Sequence, residues 1–540
     1  MTMKWICRGW LPVLCVAAVL LVLVAGGGAE TSPYGVSLTI DPGKKLGPAN
    51  RRLLGNNIQW PNGGDGVLAA NGAELDQRLV NEMIRPLGAT VLRFPGGVFS
   101  DTYHWRDGMG PLEARGQNDL AFSRSQQKVL MGTQEFLELC EALGAEPLIT
   151  VNVVTGTAQE AADWVRLVNV QGLVSRLTGK RLPRVDYWEI GNEPYLKLEG
   201  REDLWVPPAD YARRADSFIA LMRSIDPAIK VGIPLRSDTI GGIPAVHYPG
   251  FNDTVLSSLK AVFDFAALHN AYMPLVIDGQ GKDEQLFLAT AAASEEVKKD
   301  LAATRAQLAR HRPGQKILLA ITEYNALFGF PGQPFERYLA TPGGAFFVAD
   351  LLCMLAGEPD ILTADFWSLS DNWYFGAVKN LGAGRPAYPI LKEFSALLRG
   401  EQVETRLTTA GGVSLQTPPV GLVPAQSALP PLVARAVSDN GQIRGVLVNR
   451  HPSRPAKVTF AVAGGAGSPL RLHVASYSSA APFPAGDVAA SFTVDQRDVA
   501  VGANGQDLVV APRAVSFYQE VSSGEVAGET KLKTMTIQGR

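Results

Sequence analysis

Residues 187–197 read YWEIGNEPYLK, an apolar and aromatic run that stops in Gly191, Asn192, Glu193 and Pro194. Proline has no N–H for a sheet ladder and a fixed φ, so it ends the run and presents Asn192 and Glu193 at a set backbone position. Taken alone, a glutamate at a strand end before proline is usually just a solvated loop residue. Its meaning depends on what the rest of the chain builds around it.

Outward from this stretch, short apolar runs alternate with helical patterns. The strand candidates are LLGNNIQW (53–60), TVLRFPGG (90–97), PLITVN (147–152), YWEIGNE (187–193), KVGIP (230–234), FDFAALH (263–269), ILLAITEY (317–324) and ADFWSL (364–369). Between them, Leu75, Leu79, Met83 and Leu87 keep helical spacing, as do Phe136, Cys140 and Leu143, and Tyr211, Ala215, Phe218, Met222 and Ile225. Eight strands, each followed by a helical stretch, predict a (β/α)8 barrel over 50–400, with an open doubly wound sheet as the rival.

Past Gly400 the helical periodicity ends. Residues 401–525 hold Thr-, Val- and Ser-rich runs such as IRGVLVNRH (443–451) and AKVTFAVAG (456–464), separated by Pro and Gly clusters, which predicts an antiparallel β-sandwich. Within 30–49, YGVSLTI (34–40) reads as a strand free to join that sandwich, and 526–540 reads as a solvated tail. At the other end, Lys4 and Arg8 precede an apolar run from Leu11 to Ala25, too short for the roughly 20 residues of a spanning helix. Residues 1–29 are therefore expected to be a signal peptide, which places the protein outside the cell or in the cell envelope. An uncleaved anchor is the lesser alternative, and the only expected membrane contact.

Apolar residues make up 46% of the 540, charged residues 19%, and the formal net charge is -2. Such a balance gives no electrostatic reason for a nucleic-acid partner and leaves room for a neutral ligand. Cys140 and Cys353 fall in apolar helical patterns and read as two buried free thiols. The six histidines form no ligand-like pair, so neither metal nor cofactor is expected. There is no G-x-S-x-G elbow, and LGAGRPA (381–387) lacks the strand-then-helix setting of a dinucleotide loop.

In such a barrel, reactive groups come from the carboxyl ends of the strands. The fourth candidate strand ends in Asn192 and Glu193, and the seventh, LLAITEYN, runs through Glu323. Two acids facing each other across the mouth are what glycosidic hydrolysis needs: one protonates the leaving oxygen, the other attacks or activates water. Trp60, Trp105, Trp367 and Trp373 also fall at or beyond strand ends, where each has about equal claim to be a core plug or a sugar platform.

WEIGNEP together with ITEYN resembles clan A of the glycoside hydrolases, retaining enzymes whose acid/base follows an Asn at the end of strand four and whose nucleophile ends strand seven. LRFPGGVFSDTYHWRDGMGP (92–111) is similar to a signature of family 51, the α-L-arabinofuranosidases, and RPAYPILKEFSALLRG (385–400) to the segment closing that family's barrel. The resemblance covers about 34–520. It implies Glu193 as acid/base, Glu323 as nucleophile, Asn192 as partner of the sugar 2-hydroxyl, and Arg93, Trp105, His269 and Tyr272 as further site residues. The family writes H-x-Y where this chain has His269-Asn270-Ala271-Tyr272. At the sugar-binding Glu of the first strand this chain has Gln59, and after P-G-G it has Val98 in place of a sugar-binding Asn.

The expectation is a retaining, cofactor-free glycoside hydrolase, α-L-arabinofuranosidase-like, with Trp367 among its substrate-binding residues. Its partner is an oligo- or polysaccharide. The changes at Gln59 and Val98 keep another clan A activity open, of β-xylosidase, β-glucuronidase or endoglucanase type, because a site built for particular hydroxyls discriminates against sugars lacking them. A carbohydrate-binding barrel without turnover is the alternative from another class.

Overall fold

The computed structural model describes residues 32–521 apart from 73, 199, 238–247, 273–282, 327–338, 372–374, 380–381, 421–422, 465–468, 484–491 and 503–504. Residues 1–29, the tail 526–540 and Trp373 thus lie outside the described residues.

Eight parallel strands, Gly55–Asn57, Val91–Phe94, Glu146–Val151, Tyr187–Ile190, Lys230–Leu235, Phe265–Leu268, Leu318–Asn325 and Ile361–Phe366, pair in chain order. Asp365 and Phe366 then pair with Gly55 and Asn56, closing the barrel. Strands one and eight differ from the sequence expectation. The first is shorter because the Asn50 side chain accepts the Arg52 N–H and caps a 3₁₀ turn over Arg51–Leu54, which takes those residues out of the ladder. The eighth starts at Ile361, earlier than ADFWSL, because Ile361 already pairs with Leu319.

Helices follow where apolar spacing placed them: Thr133–Leu143 buries Phe136 and Cys140, and Pro208–Ile225 buries Tyr211, Ala215, Phe218 and Met222. Helix Pro342–Leu355 is buried at every position and has no polar face. Such a helix belongs between two layers, and it packs between barrel strand seven and the strands of the C-terminal domain. Cys140 and Cys353 are both free and buried. Among the described residues, no helix is long and apolar enough to cross a membrane.

The second unit is a mostly antiparallel β-sandwich of nine strands. Its alternation is legible in Ala456–Val462, where Ala456, Val458 and Phe460 face in and their neighbours face out. Strand Tyr34–Pro48 precedes the barrel in sequence yet belongs to this sheet, antiparallel to Glu401–Thr409 and parallel to Ala456–Val462. Its Leu38 and Ile40 share a core with Leu447, Val458 and Leu472.

Candidate active site

Strand four leaves the sheet after Ile190 because Gly191 turns it: its φ is +84°, and a Cβ there would lie 2.4 Å from Val153 Cγ1. Only glycine fits both demands. Asn192 and Glu193 are thereby lifted to the carboxyl-end mouth of the barrel, on the face where strand seven delivers Glu323.

Arg93, from strand two, organises the floor of this mouth. It is wholly buried, and its Nε donates to Glu189 Oε2 at 2.7 Å. Its Nη1 donates to Glu323 Oε1 at 2.9 Å and Asn57 Oδ1 at 3.0 Å, and its Nη2 to Asn192 Oδ1 at 2.7 Å. One guanidinium thus sets the positions of the first, second, fourth and seventh strand ends relative to one another. Glu189 also accepts from the Thr150 and Thr322 hydroxyls, at 2.7 and 3.2 Å. With Asn192 Oδ1 committed to Arg93, its Nδ2 has no protein partner and remains a donor for something else.

The two candidate carboxylates meet at His269, which ends strand six. Its Nδ1 stands 2.9 Å from Glu193 Oε1 and 3.7 Å from Glu323 Oε2. Both carboxylates thus approach the same ring nitrogen and face each other across the mouth. The other ring nitrogen, Nε2, faces Thr322 Oγ1 at 3.1 Å. Burial opposes protonation of His269, but the charges of Glu323 and Glu193 outweigh it and hold its pKa above the ordinary imidazole value.

Glu323 also accepts from the Tyr272 hydroxyl at 2.7 Å, and Glu193 from the Tyr195 hydroxyl at 3.3 Å. The longer spacing HNAY thus still delivers a tyrosine to the carboxylate. Burial raises the pKa of Glu323, against the pull of His269 and Arg93, while Glu193 reinforces the rise.

Gln59 and Trp367 lie together at the rim, across the Gly96–Gly97 turn that follows strand two. A Cβ on Gly96 would meet Gln59 Cα at 2.6 Å, and one on Gly97 the Trp367 ring at 2.5 Å. The Gln59 backbone and side-chain N–H groups both donate to Asp65 Oδ2, at 3.2 and 3.1 Å. Val98 follows on the same turn and is half-buried.

The structure places two of the aromatic residues. The Trp105 ring stacks on Trp164, carries Arg106 over it, and its indole N–H donates to the Glu160 carbonyl at 3.0 Å. At 7% exposure it packs in the barrel wall. Trp60 is fully buried against Tyr103.

Sequence reading passed over Glu189, Asn57 and Thr322, which build the floor. The signal was present: Glu189 is a carboxylate in the middle of an apolar strand, and such a group is buried only when it is paired. Asp101 was missed as well. It is buried near Glu193, one carboxylate oxygen has no partner, and burial first and Glu193 second push its pKa up to about 8.

Fold and site together define a (β/α)8 barrel with an appended β-sandwich and a linked carboxylate pair at the carboxyl ends of strands four and seven. Residues 83–241 match the family described as the alpha-L-arabinofuranosidase 1 domain. Alpha-L-arabinofuranosidase C of Emericella nidulans is 35% identical over 159 residues, 28% of this chain and 31% of that protein. The exo-alpha-(1->6)-L-arabinofuranosidase of Bifidobacterium longum is 28% identical over 311 residues, 54% of this chain and 57% of its own length. These alignments thus span well under two thirds of the curated relatives they match. Among solved structures, the arabinose complex of the Thermotoga maritima alpha-L-arabinofuranosidase superposes with a TM-score of 0.74 at 21% identity, covering 90% of this chain and 100% of that one. This chain is similar to the α-L-arabinofuranosidases of glycoside hydrolase family 51.

Proposed function

We propose that the protein is a retaining glycoside hydrolase of the α-L-arabinofuranosidase type, acting on a carbohydrate outside the cell or in the cell envelope. The observation that supports this reading is that Glu193 and Glu323 both face His269 Nδ1, so that two carboxylates share one mouth, as a two-carboxylate displacement requires. Glu323, bonded to Arg93 and Tyr272, attacks the anomeric carbon while Glu193 protonates the leaving oxygen. Glu193 then takes a proton from the water that releases the sugar. Asn192 Nδ2 donates to a hydroxyl beside the reacting carbon, a bond that strengthens as positive charge develops there. The aligned relatives support the arabinofuranosidase type of this reading.

Gln59 favours a second reading within the same chemistry. Its amide is committed to Asp65, so the rim binds hydroxyls with a different polar set from a free carboxylate, which keeps a β-xylosidase, β-glucuronidase or endoglucanase activity in view. A panel of 4-nitrophenyl glycosides decides between them: the α-L-arabinofuranoside is expected to be cleaved fastest, with the anomeric configuration retained in the first-formed sugar by NMR. Cleavage of another glycoside alone would replace the sugar, and inversion would replace the mechanism. A barrel that binds carbohydrate without turnover would cleave none of them.

A further inference from the structure

The loop that follows Glu193 carries Lys197, which is in no ion pair among the described residues. Lys197 Nζ lies 4.3 Å from the ring centroid of Tyr248 and 5.3 Å from that of Trp205. These are cation–π distances, and they hold the ammonium in place without neutralising it. The acids of the surrounding segments are engaged elsewhere. Asp203 is paired with Arg124 and Arg201, Asp210 with Arg213, and Glu202 accepts the Gly200 N–H. Among the described residues, no carboxylate pairs with Lys197.

The position of this ammonium relative to the chemistry follows from two hydrogen bonds. The Tyr195 hydroxyl donates to Glu193 Oε1, and the Tyr195 carbonyl accepts the Tyr248 N–H at 3.2 Å. Trp205 is anchored through its indole N–H to the Leu198 carbonyl at 3.0 Å. Lys197, Tyr248 and Trp205 are therefore joined to the loop that carries Glu193. Lys197, Tyr248 and Trp205 are all half-buried and reachable.

We propose that Lys197, held by Tyr248 and Trp205, forms a leaving-group subsite for a carboxylate-bearing sugar, so that the enzyme prefers to release its glycone from a uronic-acid-containing glycan. This rests on the reading of Glu193 as the proton donor. An ammonium already stripped of part of its water by two rings loses less on meeting a carboxylate than a free surface lysine does. The gain is still that of a partly exposed ion pair, which makes the preference modest and salt-dependent.

The test uses two substrates that share a glycone, one with a 4-nitrophenyl and one with a 3-carboxy-4-nitrophenyl leaving group, and follows the ratio of their kcat/KM values. Comparing ratios cancels the intrinsic difference between the leaving groups. Lys197→Met is expected to lower the ratio about 3- to 5-fold, Lys197→Glu further, and Lys197→Arg to keep it within about 2-fold, on the scale of an exposed ion pair. In the wild-type enzyme, 1 M salt should lower the ratio by a similar factor, a measurement that needs no variant to fold. A ratio indifferent to salt and to Lys197→Met would overturn the subsite. If the α-L-arabinofuranoside is not cleaved but another nitrophenyl glycoside is, the sugar assignment fails while the same ratio on that glycone still judges the subsite. Cleavage of no glycoside would overturn both.

Discussion

Two of the most deeply buried arginines among the described residues do different work. Arg93 sits in the barrel mouth at 0% exposure, and Arg450 sits at the boundary of barrel and sandwich at 1%. Arg450 donates through Nε and Nη2 to Asp350 at 2.8 and 2.9 Å, and reaches Glu295 at 3.0 Å and Ser294 at 3.0 Å. Its two-point pairing with Asp350, which lies on the apolar helix Pro342–Leu355, links the two domains and neutralises both charges. Arg93 spreads its donors over four side chains from three strands, and one of these, Glu323, also faces the mouth. A buried guanidinium whose partners all lie on the helices Asp283–His311 and Pro342–Leu355 is a structural joint, whereas one that divides itself among several groups around an opening is set up to orient a reacting group.

The largest expected effect falls on the pair that Arg93 orients. Glu323→Ala and Glu193→Ala should each lower kcat on the nitrophenyl glycoside by about 10³-fold or more, and near-wild-type turnover in either would end the two-carboxylate reading. Next comes the contrast itself. Arg93→Met should lower kcat/KM by at least about 10²-fold even in protein that is folded by circular dichroism. Arg450→Met should lower unfolding stability by about 3–5 kcal/mol, because it strands the buried Asp350 charge, while folded protein keeps kcat/KM within about 2-fold. Equal catalytic losses in the two variants would erase the distinction.

A smaller effect concerns pH. Glu323 must be ionised to attack, and burial raises its pKa in the folded protein above the ordinary carboxylate value. The acid limb of kcat/KM should therefore lie above that value, with activity lost as the pH falls through it, and Tyr272→Phe should move the limb further up by removing a donor to the ionised form. The smallest effect falls on Asp365, buried beside strand one, with one oxygen unpartnered and a pKa pushed up to about 8, chiefly by burial. Its folded pKa lies above its unfolded one, so the cost of ionising it inside the protein is absent at low pH and grows as the pH rises toward 8. Asp365→Asn should therefore raise Tm relative to wild type more at pH 8 than at pH 5. A difference that does not change with pH would show that its burial is satisfied in some other way.

Much of this was legible before any fold was known, and what was missed follows a pattern. Glu193, Glu323, Asn192, Arg93, His269 and Tyr272 could be picked out because each sits at a strand end or in a motif, and the structure brings all six together. Glu189, Asn57 and Thr322 belong to the same cluster but lie within or beside apolar strands, where only the inward side of the pleat marks them. Trp105 shows another limit: Trp164 stacks on its ring, and no linear pattern announces a neighbour so distant in the chain.

The sequence by itself determined that strands and helices alternate eight times, that an all-β segment follows, and that two carboxylates end strands four and seven, because periodicity and chain-breaking residues act over a few positions. Only the tertiary structure decided that strand Tyr34–Pro48 serves the sandwich rather than the barrel, that His269 links the two acids, that Arg93 spans three strand ends while Arg450 joins domains, and that Lys197 lies over the Tyr248 and Trp205 rings. Each of these depends on groups tens to hundreds of residues apart meeting at hydrogen-bonding or ring-stacking distance, and such distances are set by how the barrel closes and the sandwich docks.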